Sequence, residues 1–376
     1  MYKPEKLILT AGPSITQLEI DYVNDAVINW RNENRSWYIK RFESKFGEYI
    51  WTQYVLSTSS CTWALHLALA ALWIWADDEV LVPDITRWAT ASAVRYVGAK
   101  PIFVDVDQKT RCILADAIEA NITPKTKAIM PVYNYWNTPE MDKIMEIAKK
   151  HNLFVVEDAA PALWTLYKWK KAWSFWDFAC FSFQGAKIMT TWEWWMLVTN
   201  NKEMFERAQF LNDHWRNPDG SFRILEVGYK YKMPNICAAL WLAQLERIEE
   251  IVKRKLEILD IYKRWLKDIP GVSLNCQDEN TRVNGWMSSI VIDPKVIKIN
   301  RDELRKRLKE RLVDTRPFFP QLSKSDAYFT EKEDIHKKIN PNANLVAENW
   351  INLPSGYNLT EEQLQYTIDV LKDILK

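Results

Sequence analysis

Between residues 79 and 158 short apolar runs alternate with longer stretches of mixed polarity. Val80-Leu-Val-Pro, residues 101–107, residues 128–132 and residues 153–158 are near-continuous apolar runs, the pattern of strands covered on both faces. The stretches between them, 89–96, 114–121 and 141–151, carry apolar residues at helical spacing. Such alternation predicts an α/β fold with a mostly parallel central sheet, whose ligands lie beyond the carboxyl ends of the strands. Upstream, 15–50 reads as helical, Tyr54-Val-Leu-Ser as a strand and 64–72 as a helix. Two further strands, 179–181 and 196–198, flank a polar stretch.

Beyond residue 201 the pattern turns helical, at 203–214 and then over 236–266 as one or two long helices. The sheet-forming part ends near Gln244, so a large α/β domain is expected over 1–245 and a smaller α+β C-terminal domain over 246–376. The latter should hold a strand at 288–292, helices at 301–312 and 361–376, and a charged, flexible stretch at 323–338.

Charge and cysteine usage narrow the class. Among 376 residues, Lys+Arg is 50 against Asp+Glu 49, which leaves no basic field to hold nucleic acid or an anionic membrane. Five scattered cysteines without a CxxC pair predict neither a disulfide framework nor a zinc site, and fit a reducing cytoplasm. The N-terminal apolar run is too short for a signal peptide, and no segment approaches a membrane span. GxGxxG and GxxxxGK[ST] are both missing, which removes the main support for dinucleotide and P-loop readings.

The stretch 179–199 holds the most distinctive chemistry. A short apolar strand ends at Ser182, Gly185 allows a tight turn, and Lys187 follows between two buried strands. A lysine there is either solvated at a strand end or held in a cleft to form a Schiff base with a carbonyl cofactor such as pyridoxal 5′-phosphate (PLP). Thr58-Ser-Ser-Cys-Thr, entering an apolar helix, is an N-cap that can also serve as an anion site. Asp158 ends another strand. Each feature has a plain structural explanation. Together they match PLP, whose phosphate takes N–H groups and hydroxyls, whose pyridine nitrogen takes a carboxylate, and whose aldehyde takes a lysine.

In its ordered motifs the chain resembles the DegT/DnrJ/EryC1/StrS family of PLP-dependent sugar aminotransferases, and among them the perosamine-synthase-like members. The likeness runs through Ser-Ser-Cys-Thr-x-Ala-Leu-His-Leu-Ala-Leu (59–69), Val156-Glu-Asp-Ala-Ala, Phe181-Ser-Phe-Gln-Gly-Ala-Lys, Gly228-Tyr-Lys-Tyr-Lys-Met-Pro-Asn-Ile, Arg316-Pro-Phe-Phe-Pro and Leu353-Pro-Ser. The resemblance implies fold type I, with Lys187 as the Schiff-base lysine and catalytic base and Asp158 as the partner of the pyridinium. Cys61, Thr62 and Ser182 would hold the phosphate. Asn235 would reach it from a neighbouring subunit, which implies a homodimer with shared sites. It further implies transfer of an amino group, from L-glutamate, to a nucleotide-linked 4-keto-6-deoxyhexose for surface-glycan biosynthesis in the cytoplasm. The alternative is a PLP-fold binding or regulatory homologue without turnover.

One feature departs from that family. Glycine numbers 9 and tryptophan 20, where ordinary usage gives roughly 26 glycines. Relatives carry glycine where this chain has Trp63, Trp73, Trp75, Trp136, Trp164, Trp176, Trp192, Trp194, Trp195, Trp215 and Trp241. They carry an aromatic ring where it has Arg31, Arg87 and Arg223. Either the chain is a genuinely tryptophan-rich, damaged or non-catalytic homologue, or UGA codons read as glycine have been written as tryptophan, with a second reassignment of arginine codons at Arg31, Arg87 and Arg223. The codons distinguish the two: UGG at Trp192, Trp194 and Trp195 rules out the second.

Overall fold

The computed structural model describes residues 2–29, 36–168, 170–171, 177–185, 187–189, 195–213, 226–274, 281–328 and 340–375. Trp176, Trp192, Trp194, Trp215, Arg31, Arg223 and Cys276 lie outside them.

The central sheet has seven strands, in the order Tyr54–Thr58, Trp195–Thr199, Phe178–Ser182, Phe154–Asp158, Thr126–Ile129, Glu79–Pro83, Lys100–Val104. Every pairing from Phe178–Ser182 to Lys100–Val104 is parallel, and Trp195–Thr199 alone runs against its neighbours. The apolar runs are near-continuous because both faces are covered. Val80 and Val82 enter one core, with the helices Cys61–Ala71, Trp88–Tyr96 and Lys202–Asn212. Leu81 points the other way, into a second core with Trp37–Ile50, Met141–His151 and Asn235–Glu246. The α/β class expected from the alternation is the class observed.

A four-stranded antiparallel sheet follows, ordered Val272–Leu274, Ser289–Ile292, Trp350–Asn352, Arg316–Pro317. With the helices Ile248–Leu266, Arg301–Glu310 and Glu361–Leu375 it encloses a third core. Ile8 belongs to that core: its N–H donates to the Leu312 carbonyl (2.8 Å) and its carbonyl accepts from Asp314 (2.9 Å).

Some expected boundaries move. Among the described residues, the helical stretch 15–50 holds two helices, Gln17–Ile28 and Trp37–Ile50. Of the one or two helices expected over 236–266, two form, Asn235–Glu246 and Ile248–Leu266, meeting at Arg247. Of the segment expected to be flexible, Leu322–Lys324 and Asp326–Tyr328 form 3₁₀ turns, while 329–339 lie outside the described residues. Those turns are pinned by buried Asp84, whose carboxylate accepts from Ser323 N (2.7 Å), Ser323 Oγ (2.7 Å), Gln321 Nε2 (2.9 Å) and Asn340 Nδ2 (2.8 Å). Asp84 directly follows Pro83, so this latch ties the end of a central strand to the C-terminal part. No described helix is long and apolar enough to cross a membrane.

Candidate active site

Sheet register brings the expected residues to one edge. Thr58 and Ser182 both pair with Trp195, on either side of it, and Asp158 pairs with Cys180, two residues before Ser182. Asp158, Ser182 and the turn leading into the helix Cys61–Ala71 therefore share the carboxyl-end rim of the sheet.

At the start of that helix Ser60 is the N-cap, its Oγ accepting from Trp63 N (3.2 Å), while the Ser60 carbonyl accepts from Ala64 N (2.9 Å). The N–H groups of Cys61 and Thr62 take no partner among the described residues, so the helix start offers two donors and the positive end of its dipole. Asp158 is buried. Its Oδ2 accepts from Thr90 Oγ1 (2.8 Å) and its Oδ1 from Ala160 N (3.2 Å). Burial pushes its carboxyl above the ordinary range, against the hydrogen bonds and the positive charges of Lys187 and Arg87.

Lys187 follows a turn closed by its own N–H on the Gln184 carbonyl (2.7 Å). The residue keeps partial exposure, but its amine sits deep, 3.9 Å from the centroid of the Trp286 ring. Burial lowers the ammonium pKa from its ordinary value to about 7. The like charge of Arg87 adds to this, while Asp158 and Cys61 oppose it. Lys187 and Asp158 thus each feel the other's charge. The Cys61 thiol, buried beside Asp158 and Cys180, is pushed well above its usual value. Ser182 is buried, with its Oγ 3.4 Å from Gln184 N. Asn235, first residue of its helix, uses its Oδ1 to accept from Tyr38 N (3.0 Å) and Ile39 N (3.4 Å). It lines a cavity of about 350 Å³ with Asp25, Asn29 and Trp37. Arg316 is exposed and paired with Asp314 (3.4 Å).

Three neighbours of this centre were not picked out as site residues by the sequence motifs. Thr90 is buried in the first turn of Trp88–Tyr96 and Trp286 comes from the C-terminal part, so only tertiary contact reveals them. Arg87, noted only as a departure from relatives, is the N-cap of the same helix and adds its charge to both Lys187 and Asp158.

The model of the DegT/DnrJ/EryC1/StrS aminotransferase family matches residues 13–372. The chain belongs to this family. A GDP-perosamine synthase of Escherichia coli O157:H7 is 39% identical over 368 residues, 98% of each chain. A spore coat polysaccharide biosynthesis protein of Bacillus subtilis is 30% identical over 377 residues, 97% of this chain and 96% of its own. A Streptococcus pneumoniae protein described as a candidate sugar aminotransferase, solved in its PLP form, superposes with TM-score 0.88 at 26% identity, over 98% of this chain and 100% of its own. The chain is accordingly a PLP-dependent aminotransferase of fold type I. Its own residues fit that cofactor: an amine titrating near neutrality, a buried carboxylate within reach of its charge, and a helix start with two open N–H donors.

Proposed function

We propose that this enzyme is a sugar aminotransferase that moves an amino group from L-glutamate to a nucleotide-linked 4-keto-6-deoxyhexose, for assembly of a surface glycan. The near-neutral Lys187 amine in the field of Asp158 carries the reading of chemistry. Support for the substrate comes from relatives, one named for GDP-perosamine and one for a spore coat polysaccharide.

When bound, PLP supplies an electron-withdrawing ring that stabilises negative charge on the substrate carbon losing its proton. Lys187 would hold the cofactor and, when free, would move that proton as a general base. A pKa of about 7 leaves a large neutral fraction at physiological pH. Asp158 would be the carboxylate partner of the ring nitrogen, with the Thr90 hydroxyl fixing its orientation. Cys61 and Thr62, through their N–H groups, and Ser182, through its hydroxyl, bind the phosphate. Asn235 completes the phosphate site of a second subunit in a homodimer. Its Nδ2 is the donor left for that role, since Oδ1 is engaged within its own chain.

Purified protein loaded with PLP should show the cofactor's visible band, lose it on addition of glutamate, and regain it with a 4-keto-6-deoxyhexose nucleotide. Bleaching that no keto sugar reverses would overturn the acceptor. A band that glutamate leaves unchanged would overturn turnover and favour a binding protein.

A further inference from the structure

Ten non-glycine residues among those described have positive φ, and four of them are tryptophan: Trp51 (60°), Trp73 (56°), Trp136 (65°) and Trp164 (75°). Glycine enters this region freely and Asn or Asp tolerate it, as Asn152 and Asp77 do here, but a residue with a bulky side chain is strained there. The hydrogen bonding at two of the sites is of a kind that selects glycine. Where the helix Cys61–Ala71 ends, Trp73 N donates to Ala70 O (3.2 Å) and Ile74 N to Leu69 O (3.1 Å), the paired bonds of a Schellman stop centred on residue 73. Trp51 closes Trp37–Ile50 in the left-handed region, with Thr52 N on Gly47 O (3.0 Å). Gly98, at φ 81°, fills the same position after Trp88–Tyr96.

A second observation concerns space rather than backbone. Trp241 is fully buried in Asn235–Glu246, its ring centroid 3.7 Å from that of Phe183, closer than the 4.5–7 Å at which aromatic pairs settle. Its Nε1 has no hydrogen-bond partner among the described residues. Trp350 shows what an accommodated tryptophan looks like: extended backbone, complete burial, and Nε1 donating to Asn352 Oδ1 (3.0 Å).

We propose that the polypeptide made in its native cell carries glycine where the sequence reads Trp51, Trp73, Trp136, Trp164 and Trp241, each encoded by UGA decoded as glycine, while Trp350 is true tryptophan. Reassignment at these positions also moves the counts of 9 glycines and 20 tryptophans toward ordinary usage. At Trp241 it would relieve Phe183, which lies on the segment leading to Lys187. None of this depends on which amino group is transferred to which sugar.

Three measurements test it. In the gene, UGA at all five positions and UGG at 350 is expected, and UGG at the five overturns the proposal. Tryptic peptides of the protein isolated from its native cell should carry glycine masses at 51 and 73; tryptophan masses there overturn it. The full chain as written should be compared with the fivefold variant Trp51→Gly, Trp73→Gly, Trp136→Gly, Trp164→Gly, Trp241→Gly. The variant's thermal midpoint should rise by about 10 °C, whereas Trp350→Gly should lower it. A fivefold variant that melts at or below the chain as written overturns the proposal.

Discussion

The Lys187 amine lies 3.9 Å from the centroid of the Trp286 ring, so the C-terminal part supplies a wall against the residue that the central sheet presents. With burial as the main cause, the amine titrates near 7. Only the neutral amine attacks an aldehyde, so PLP loading of the apo protein should quicken by about tenfold per pH unit below that value and level off above it. Trp286→Ala admits water to the amine and should move the break upward by about one unit. Stopped-flow absorbance across pH reads both, and an unmoved break in the variant would remove Trp286 from this role.

Asp158→Asn should separate activity from stability. The folded-state pKa of Asp158 is raised by burial, so the carboxylate costs stability wherever it is ionised, and that cost grows as pH rises through the carboxylate range. The variant should therefore melt higher at pH 7 than the parent. Glutamate half-reaction rates should fall by at least about a hundredfold, because an amide cannot supply the negative charge. Calorimetry and single-turnover absorbance check the two halves, and a variant with parental rates would displace Asp158 from the ring nitrogen.

Asn235→Asp keeps the Oδ1 that accepts from Tyr38 N and Ile39 N but removes the amide donor and adds negative charge. If Nδ2 meets a phosphate, PLP affinity should drop by at least about tenfold while the thermal midpoint of the apo protein stays within a few degrees. Fluorescence titration measures the first, and unchanged affinity would leave Asn235 only its role at the helix start.

Glu19 anchors the N-terminal helix. Its buried Oε1 meets Arg247 at 2.7 Å and accepts from Gln244 as well. Its pKa is lowered: burial, the largest effect, opposes the shift, but the Thr16 hydrogen bonds and Arg247 outweigh it. A depressed folded-state pKa means stability present above the unfolded value and lost as pH falls through the folded one. Glu19→Gln should therefore cost about 2–3 kcal/mol at pH 7 and progressively less toward acid. Urea unfolding at several pH values reads the difference.

Much of the central fold was legible because its strands are covered on both sides, which turns burial into unbroken apolar runs such as Val80-Leu-Val-Pro. The C-terminal sheet was legible only at Ser289–Ile292. Val272–Leu274, Arg316–Pro317 and Trp350–Asn352 span two or three residues each, too few for a period of two to register. Asp158, Ser182 and Lys187 could be picked out as strand-end groups, and register explains why they gather: ends of adjacent parallel strands share one rim. Thr90 and Trp286 could not be read this way, since a helical threonine and an apolar tryptophan are ordinary until a distant segment packs on them. The tryptophans were visible in composition, but only φ showed which of them sit where a Cβ is unwelcome.

Ile8, clamped between Leu312 and Asp314, is built into a core made otherwise of residues from 258 onward. Ile8 bridges to Val313, so this contact closes a loop of about three hundred residues, whose entropic cost grows only with the logarithm of its length.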